Sequence, residues 1–335
     1  MRVGSIPGPT RDGTLVLISA DHRRALRAPG ELPTLQAALD NWDEAADAVE
    51  ALSERLDSGE LGGEPLDASA LLSPFPRAVQ WAEASSYLPH MERIRAARGM
   101  ELPPEHRQEP IVYQSGSDRF LTPTEDVPLA DESWGLDLEA TIAVVTGDVP
   151  QGSSADDAAR QIKLVMLTND LTLRNLMPAE YAKGVGPYRA KPARAYAPIA
   201  VSTTTLGDAW TGRLLRSTVR SWVNGELLGE PDSSHDCAFD FGDLLAYMTM
   251  TRSLAAGTIV GSGTVSNREA RVGYSCLAEK RAVEQLRDGQ PVTPLLRVGD
   301  VVRIEAFDDQ GTSLFGAIEQ RVVAYSGPQS EGDLA

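Results

Sequence analysis

The stretch Trp134-Gly-Leu-Asp-Leu-Glu-Ala-Thr-Ile-Ala-Val-Val-Thr-Gly147 constrains the fold more than any other part of the chain. Side chains along a strand alternate between two faces. Asp137, Glu139 and Thr141 therefore point one way, and Leu138, Ala140 and Ile142 the other. Two acids side by side on one strand face repel each other. A solvated face would relieve that repulsion, and so would a hard divalent cation taking oxygen ligands.

Further segments accompany this strand. Leu164-Val-Met-Leu-Thr-Asn-Asp170 is an apolar run of strand length ending in Asn-Asp, with Arg174 four residues beyond the aspartate. Lys191-Pro-Ala-Arg-Ala-Tyr-Ala-Pro198, Gly261-Ser-Gly-Thr264-Val-Ser and Gly273-Tyr-Ser-Cys-Leu-Ala-Glu279 follow, and Trp81-Ala-Glu83-Ala-Ser-Ser-Tyr87-Leu-Pro-His90 precedes. In this order and at these separations the chain resembles the fumarylacetoacetate hydrolase family over roughly residues 76 to 326.

The resemblance implies a site residue by residue. The Mg or Ca ligands fall on Glu83, Glu139 and Asp170, and the water-activating histidine and glutamate on His90 and Glu279. Lys191 meets substrate oxygens, Thr264 helps to form the oxyanion site, and Tyr113 lies over the substrate. Arg98 and Arg174 add positive charge for an acidic substrate, and a homodimer is implied. Three positions depart from the family pattern. Thr141 replaces the second glutamate of Glu-x-Glu, Arg93 replaces the glutamate of a His-x-x-Glu dyad, and Met177 stands at a glutamine position. Losing even an outer-shell partner costs ~10–100-fold in metal affinity or activity, so Thr141 predicts a weakened or empty metal site.

The residues also speak apart from the resemblance. Of the four histidines, His22 lies beside Arg23-Arg24, His106 in a charged loop and His235 in a turn, while His90 follows the Trp-x-Glu…Tyr segment and precedes a basic helix over 91–98. The glycines around Thr264 can aim backbone N–H groups at a developing oxyanion or merely make a tight turn. No GxGxxG, GxxxxGK[ST] or GxSxG pattern anchors a nucleotide or serine-hydrolase reading.

A formal net charge of −17 opposes binding to nucleic acid or an anionic membrane. Cys237 and Cys276 form no spacing motif, so a disulfide framework is not expected and Cys276 reads as a small core residue. An N-terminus without an apolar h-region, and the absence of any apolar run near ~20 residues, predict a cytoplasmic chain without a membrane span.

The expected fold is a strand-dominated α+β chain: a small N-terminal domain over 1–75, a mixed β-roll over 76–328 and a frayed tail over 329–335. Apolar residues at steps of three and four from Leu35 to Leu56 predict one helix over 33–56, with Trp42 as a core anchor. Helices are also expected over 155–162 and 241–255, the second with Asp240 and Asp243 at its positive end. The leading functional expectation is C–C bond hydrolysis in a small β-diketo or 2-oxo acid by His90 and Glu279. The rivals are enolate chemistry without water (decarboxylation, isomerisation, dehydration or ring closure) and a non-catalytic binding relative.

Overall fold

The computed structural model describes residues 1–184 and 186–327, so the predicted tail lies outside the described residues. An eleven-stranded sheet dominates. In spatial order it runs Glu64–Pro65, Arg24–Arg27, Thr14–Ile18, Arg2–Ile6, Ala200–Ser202, Ile162–Asn169, Ala140–Thr146, Thr258–Thr264, Gln80–Ala84 and Val112–Ser115, with Ala195–Tyr196 also paired to Ile162–Asn169. The N-terminal strands thus join the main sheet, through the antiparallel pair of Arg2–Ile6 with Ala200–Ser202. A five-stranded sheet holds Glu226–Gly229, Thr218–Val223, Val301–Phe307, Ile318–Ala324 and Val127–Leu129. The strand-dominated α+β fold expected from the sequence is the fold observed. No helix of the described residues is long and apolar enough to cross a membrane.

The acid-bearing strand keeps its alternation but is broken in two. Leu136–Asp137 pairs with Thr172–Leu173, and Ala140–Thr146 enters the large sheet. At the break, the Glu139 amide donates to the Asn169 side chain at 3.2 Å. Leu138, Ala140, Ile142 and Val144 point into one core with Val219, Val302 and Ile304 of the second sheet. Ala143 and Val145 point into another, covered by Leu35, Leu39, Val49 and Leu56. A strand buried on both faces needs apolar side chains on both. Thr141 is the exception near its start, 1% exposed, with a hydroxyl that has no hydrogen-bond partner among the described residues.

The helix expected over 33–56 is two helices, Leu35–Asp40 and Trp42–Asp57. The Asn41 side chain donates to the Ala37 carbonyl at 3.2 Å. It takes the acceptor that the helix backbone would use, and Asn41 turns to φ −128°. Trp42 is half-buried at the rim of the second core rather than anchoring its centre. The helix expected over 241–255 ends earlier, as Phe241–Thr249, and Asp240 and Asp243 form a reciprocal capping box at its start. The basic helix after His90 spans Leu88–Ala96 and includes His90 itself.

Candidate active site

Glu139 sits where the broken strand leaves the large sheet. Its Oε2 accepts from Lys191 Nζ at 2.7 Å and from the Thr172 hydroxyl at 2.7 Å. Its Oε1 accepts from Arg174 at 2.6 Å and from the Thr264 hydroxyl at 2.9 Å. The Lys191 ammonium also donates to Asp170 Oδ2 at 2.6 Å and to Thr172 Oγ1 at 2.7 Å. All three of its protons are therefore committed. Burial by itself would lower the lysine's pKa, but Asp170 and Glu139 reverse that and hold it well above the ordinary value. Burial likewise works to raise the Glu139 pKa, yet Arg174, Lys191 and His90 hold it well below the usual carboxylate range.

A second buried carboxylate supports this cluster. Asp137 accepts from Arg174 Nε at 2.8 Å and from the amides of Leu277 and Ala278 at 2.7 and 2.9 Å. Those amides open the helix Leu277–Asp288, whose positive end favours an anion. Cys276 caps the same helix, its sulfur 3.4 Å from the Glu279 amide. The sequence gives no ordinary capping signal here, because the carboxylate comes from 140 residues upstream. Asp137 thus fixes both Arg174 and the helix that carries Glu279.

His90 Nδ1 is 3.0 Å from Glu279 Oε2. The other oxygen of Glu279 is held by Ser266 at 2.7 Å and by Arg93. Burial pushes the Glu279 pKa up, but His90, Ser266 and Arg93 outweigh it and the carboxyl stays below its usual value. An ionised Glu279 assigns the imidazole proton to Nδ1 and leaves Nε2 as a base. The dyad stands beside the cation cluster: ligand atoms of His90, Glu139 and Cys276 all lie within 4.8 Å of one another. Cys276 is buried, as expected for a core residue, but it also lines the site, its sulfur 3.9 Å from His90 Nδ1.

Glu83 lies on the same sheet face as Thr141. Gly261 pairs with both Glu83 and Ala143, and a Cβ on Gly261 would meet Glu83 Oε2 at 2.5 Å. Thr141 is two residues from Ala143 and directly opposite Thr264. Glu83 Oε1 accepts from the Gly263 amide at 2.6 Å, while Oε2 has no hydrogen-bond donor among the described residues. Burial first, and then the charge of Asp170, push its pKa well above the usual value.

Mg²⁺ or Ca²⁺ calls for about six or more oxygen ligands. In this arrangement both Glu139 oxygens already take two donors each, and Asp170 Oδ2 takes Lys191 and the Tyr113 hydroxyl, the latter at 3.3 Å. The compact group formed by His90, Glu139 and Cys276 offers nitrogen, oxygen and sulfur, a softer set than Mg²⁺ or Ca²⁺ favours. Of the oxygens expected to hold a hard ion, both of Glu139 and Oδ2 of Asp170 are taken by protein donors and Asp170 Oδ1 faces Arg194, which leaves Glu83 Oε2 as the one without a donor among the described residues; as they stand they do not offer a hard ion the oxygens it needs.

The structure brings His90, Glu279, Lys191, Glu139, Asp170, Thr264, Tyr113 and Arg174 into one connected network. Arg98 lies exposed past the end of the His90 helix, outside that network. Met177 opens the short helix Met177–Tyr181. Sequence reasoning missed Arg194, which is 1% exposed, with its Nε 3.0 Å from Asp170 Oδ1 and its guanidinium 4.7 Å from the centre of the Trp81 ring. Its place in the Lys191-Pro-Ala-Arg194 motif was the available signal. A pocket of roughly 570 Å³, lined by Gln114, Ser115, Tyr188 and Lys191, meets the cluster at Lys191, without His90 or Glu279 in its lining, and is of substrate-binding size.

This architecture, with a buried acid–lysine cluster beside a His–Glu dyad, defines a sheet-scaffolded enzyme-type site. Residues 80–323 match the fumarylacetoacetate (FAA) hydrolase C-terminal family and residues 1–77 match fumarylacetoacetase N-terminal domain 2. The chain belongs to the fumarylacetoacetate hydrolase family. Human mitochondrial oxaloacetate tautomerase FAHD2B is 21% identical over 69% of this chain and 70% of its own length. Among solved structures, fumarylacetoacetate hydrolase from Exiguobacterium antarcticum superposes with a TM-score of 0.64 at 18% identity, covering 97% of this chain and 99% of the other. Maleylpyruvate hydrolase from Sphingobium sp. SYK-6, solved with manganese (II) and pyruvate, gives 0.63 at 16% identity over 97% and 100%. 5-Carboxymethyl-2-hydroxymuconate delta-isomerase from Mycobacterium smegmatis gives 0.61 at 19% identity over 98% and 100%. Two hydrolases and an isomerase thus share this fold, and a tautomerase is similar in sequence.

Proposed function

We propose that this protein hydrolyses a C–C bond in a small β-diketo or 2-oxo acid. The observation that carries the reading is the His90–Glu279 pair, 3.0 Å apart, with Glu279 clamped from its other side by Ser266 and Arg93. Nε2 of His90 takes a proton from water, and the hydroxide adds to a substrate carbonyl carbon. The tetrahedral oxyanion collapses, breaking the bond to the neighbouring carbon. The electron pair leaves as an enolate, which takes back the proton from His90. Water has then been added across the bond and two acids leave.

The enolate needs positive charge. Lys191 supplies it, exchanging its bond to the neutral Thr172 hydroxyl for a substrate oxygen while keeping both carboxylates. Tyr113, with its ring centre 5.7 Å from Nζ, lies over that position. The substrate is acidic, enters by the Lys191 pocket, and is turned over by a homodimeric cytoplasmic enzyme. Incubation with a panel of 2,4-dioxo acids tests this. Loss of the diketone absorbance with two carboxylic acids formed in equal amounts supports hydrolysis.

A second reading is enol–keto proton transfer, favoured by the closeness of His90 to Glu139 in the cation cluster. There His90 moves a proton at carbon and no water is consumed. Absorbance decay without new acids would select it over hydrolysis.

A further inference from the structure

We infer that Lys191 and Arg194 are the resident cations of this site and do the charge-neutralising work that a divalent ion would otherwise do. Three cations and three acids are paired in the cluster, and a fourth acid, Glu83, lies beside them with its carboxyl pushed toward the neutral form by burial and by Asp170. Arg174 bridges Asp137 and Glu139, Lys191 bridges Glu139 and Asp170, and Arg194 faces the far oxygen of Asp170. The charges cancel without a further ion. Each of the six side chains is at least 85% buried at its side chain, so little of this balance is left to solvent.

The position of the ammonium makes the argument specific. A hard ion between Glu139 and Asp170 would sit between one oxygen of each, at about 2.0–2.6 Å. Lys191 Nζ sits between Glu139 Oε2 at 2.7 Å and Asp170 Oδ2 at 2.6 Å. The third acceptor, Thr172 Oγ1, completes the ammonium's tripod. Arg194 closes the remaining side of Asp170. It is also bound to the Ser115 hydroxyl at 2.7 Å and stacked on Trp81, so its place is fixed from three sides.

Thr141 is the sequence counterpart of this arrangement. A carboxylate there, on the face that carries Glu83 and Thr264, would add a further acid and leave the cluster one positive charge short. With threonine the protein cations suffice. The inference is independent of whether the reaction is hydrolysis or proton transfer, since both need the same positive charge.

Metal binding to the wild type, followed without reference to turnover, tests the inference. The free Mn²⁺ signal in electron paramagnetic resonance, read at 100 µM protein and 100 µM Mn²⁺ (roughly the range of weak hard-ion sites), should fall by no more than a buffer-matched control protein shows. Mg²⁺, Ca²⁺ and a chelator should leave the melting temperature unchanged. Stoichiometric loss of the Mn²⁺ signal with a raised melting temperature would overturn the inference. Lys191→Met supplies the converse. With the ammonium gone, Glu139 and Asp170 should take Mn²⁺ at least ~10-fold more tightly than the wild type. A folded Lys191→Met protein without that gain would equally overturn it. Should Lys191→Met not fold, Arg194→Gln with Thr141→Glu replaces it, with the same expected gain and the same overturning result.

Discussion

His90 and Arg93 stand one turn apart on the same helix and grip opposite oxygens of one carboxylate, Glu279. The glutamate expected at position 93 in a His-x-x-Glu dyad would repel Glu279. Arginine instead holds it, and Glu279 orients the imidazole from a helix far along the chain.

If His90 carries the proton, His90→Ala should lower turnover by roughly 10²–10⁴-fold and leave the far-ultraviolet circular dichroism unchanged. Turnover near that of the wild type on an accepted substrate would remove His90 from the mechanism.

Glu279 makes a prediction about pH. Its folded pKa lies below the ordinary carboxyl value of 4.5, so its ionised form stabilises the fold. For a carboxyl with a depressed pKa, that contribution is fully present above about 4.5 and is lost as pH falls through the folded value. Glu279→Gln replaces charge-assisted bonds, each contributing about 1.5–3 kcal/mol, by neutral ones. The variant should melt several degrees below the wild type at pH 7, and the gap should close as pH drops below 4.5. A gap that is constant from pH 7 to pH 3 would show that the charge of Glu279 does not stabilise the fold.

Lys191→Met leaves two buried carboxylates without their shared ammonium. Removing one partner of a buried ion pair costs about 3–5 kcal/mol, to be read from denaturant unfolding. Loss of a preorganised charge at an oxyanion should lower kcat by ~10²–10³-fold. A rise in KM at unchanged kcat would make Lys191 a docking residue instead.

Much of the fold and site was legible because it is written in local periodicity and in separated motifs. Leu138, Ala140 and Ile142 face one core as their alternation predicts. What was not legible depends on partners distant in sequence. The helix Leu277–Asp288 lacks a local capping signal because its anion is Asp137. Asn41 breaks a helix whose apolar spacing runs straight through it, since periodicity is blind to a side chain competing for a carbonyl. Arg194 went unread because an arginine is ordinarily exposed, and only the placement of Asp170 and Trp81 buries it.

Asp137 gives the last prediction. In the structure it pairs opposite Thr172. Oδ1 accepts from the Leu277 amide, and Oδ2 accepts from the Ala278 amide and from Arg174 Nε. Every one of these partners is a donor. Asp137→Asn keeps the shape but turns one acceptor into an NH₂ group that must face a donor, whichever way the amide is flipped. It also leaves Arg174 with one carboxylate, Glu139, in place of two. The expected cost is about 2–5 kcal/mol, from a broken charged network that is almost wholly buried. Because the Glu279 helix starts on this residue, kcat should fall as well, although Asp137 touches neither His90 nor the pocket. Chemical denaturation and steady-state kinetics on the same preparation check both effects. An unchanged unfolding midpoint would show that the helix start does not depend on this carboxylate, and unchanged kcat would show that Glu279 is positioned without it.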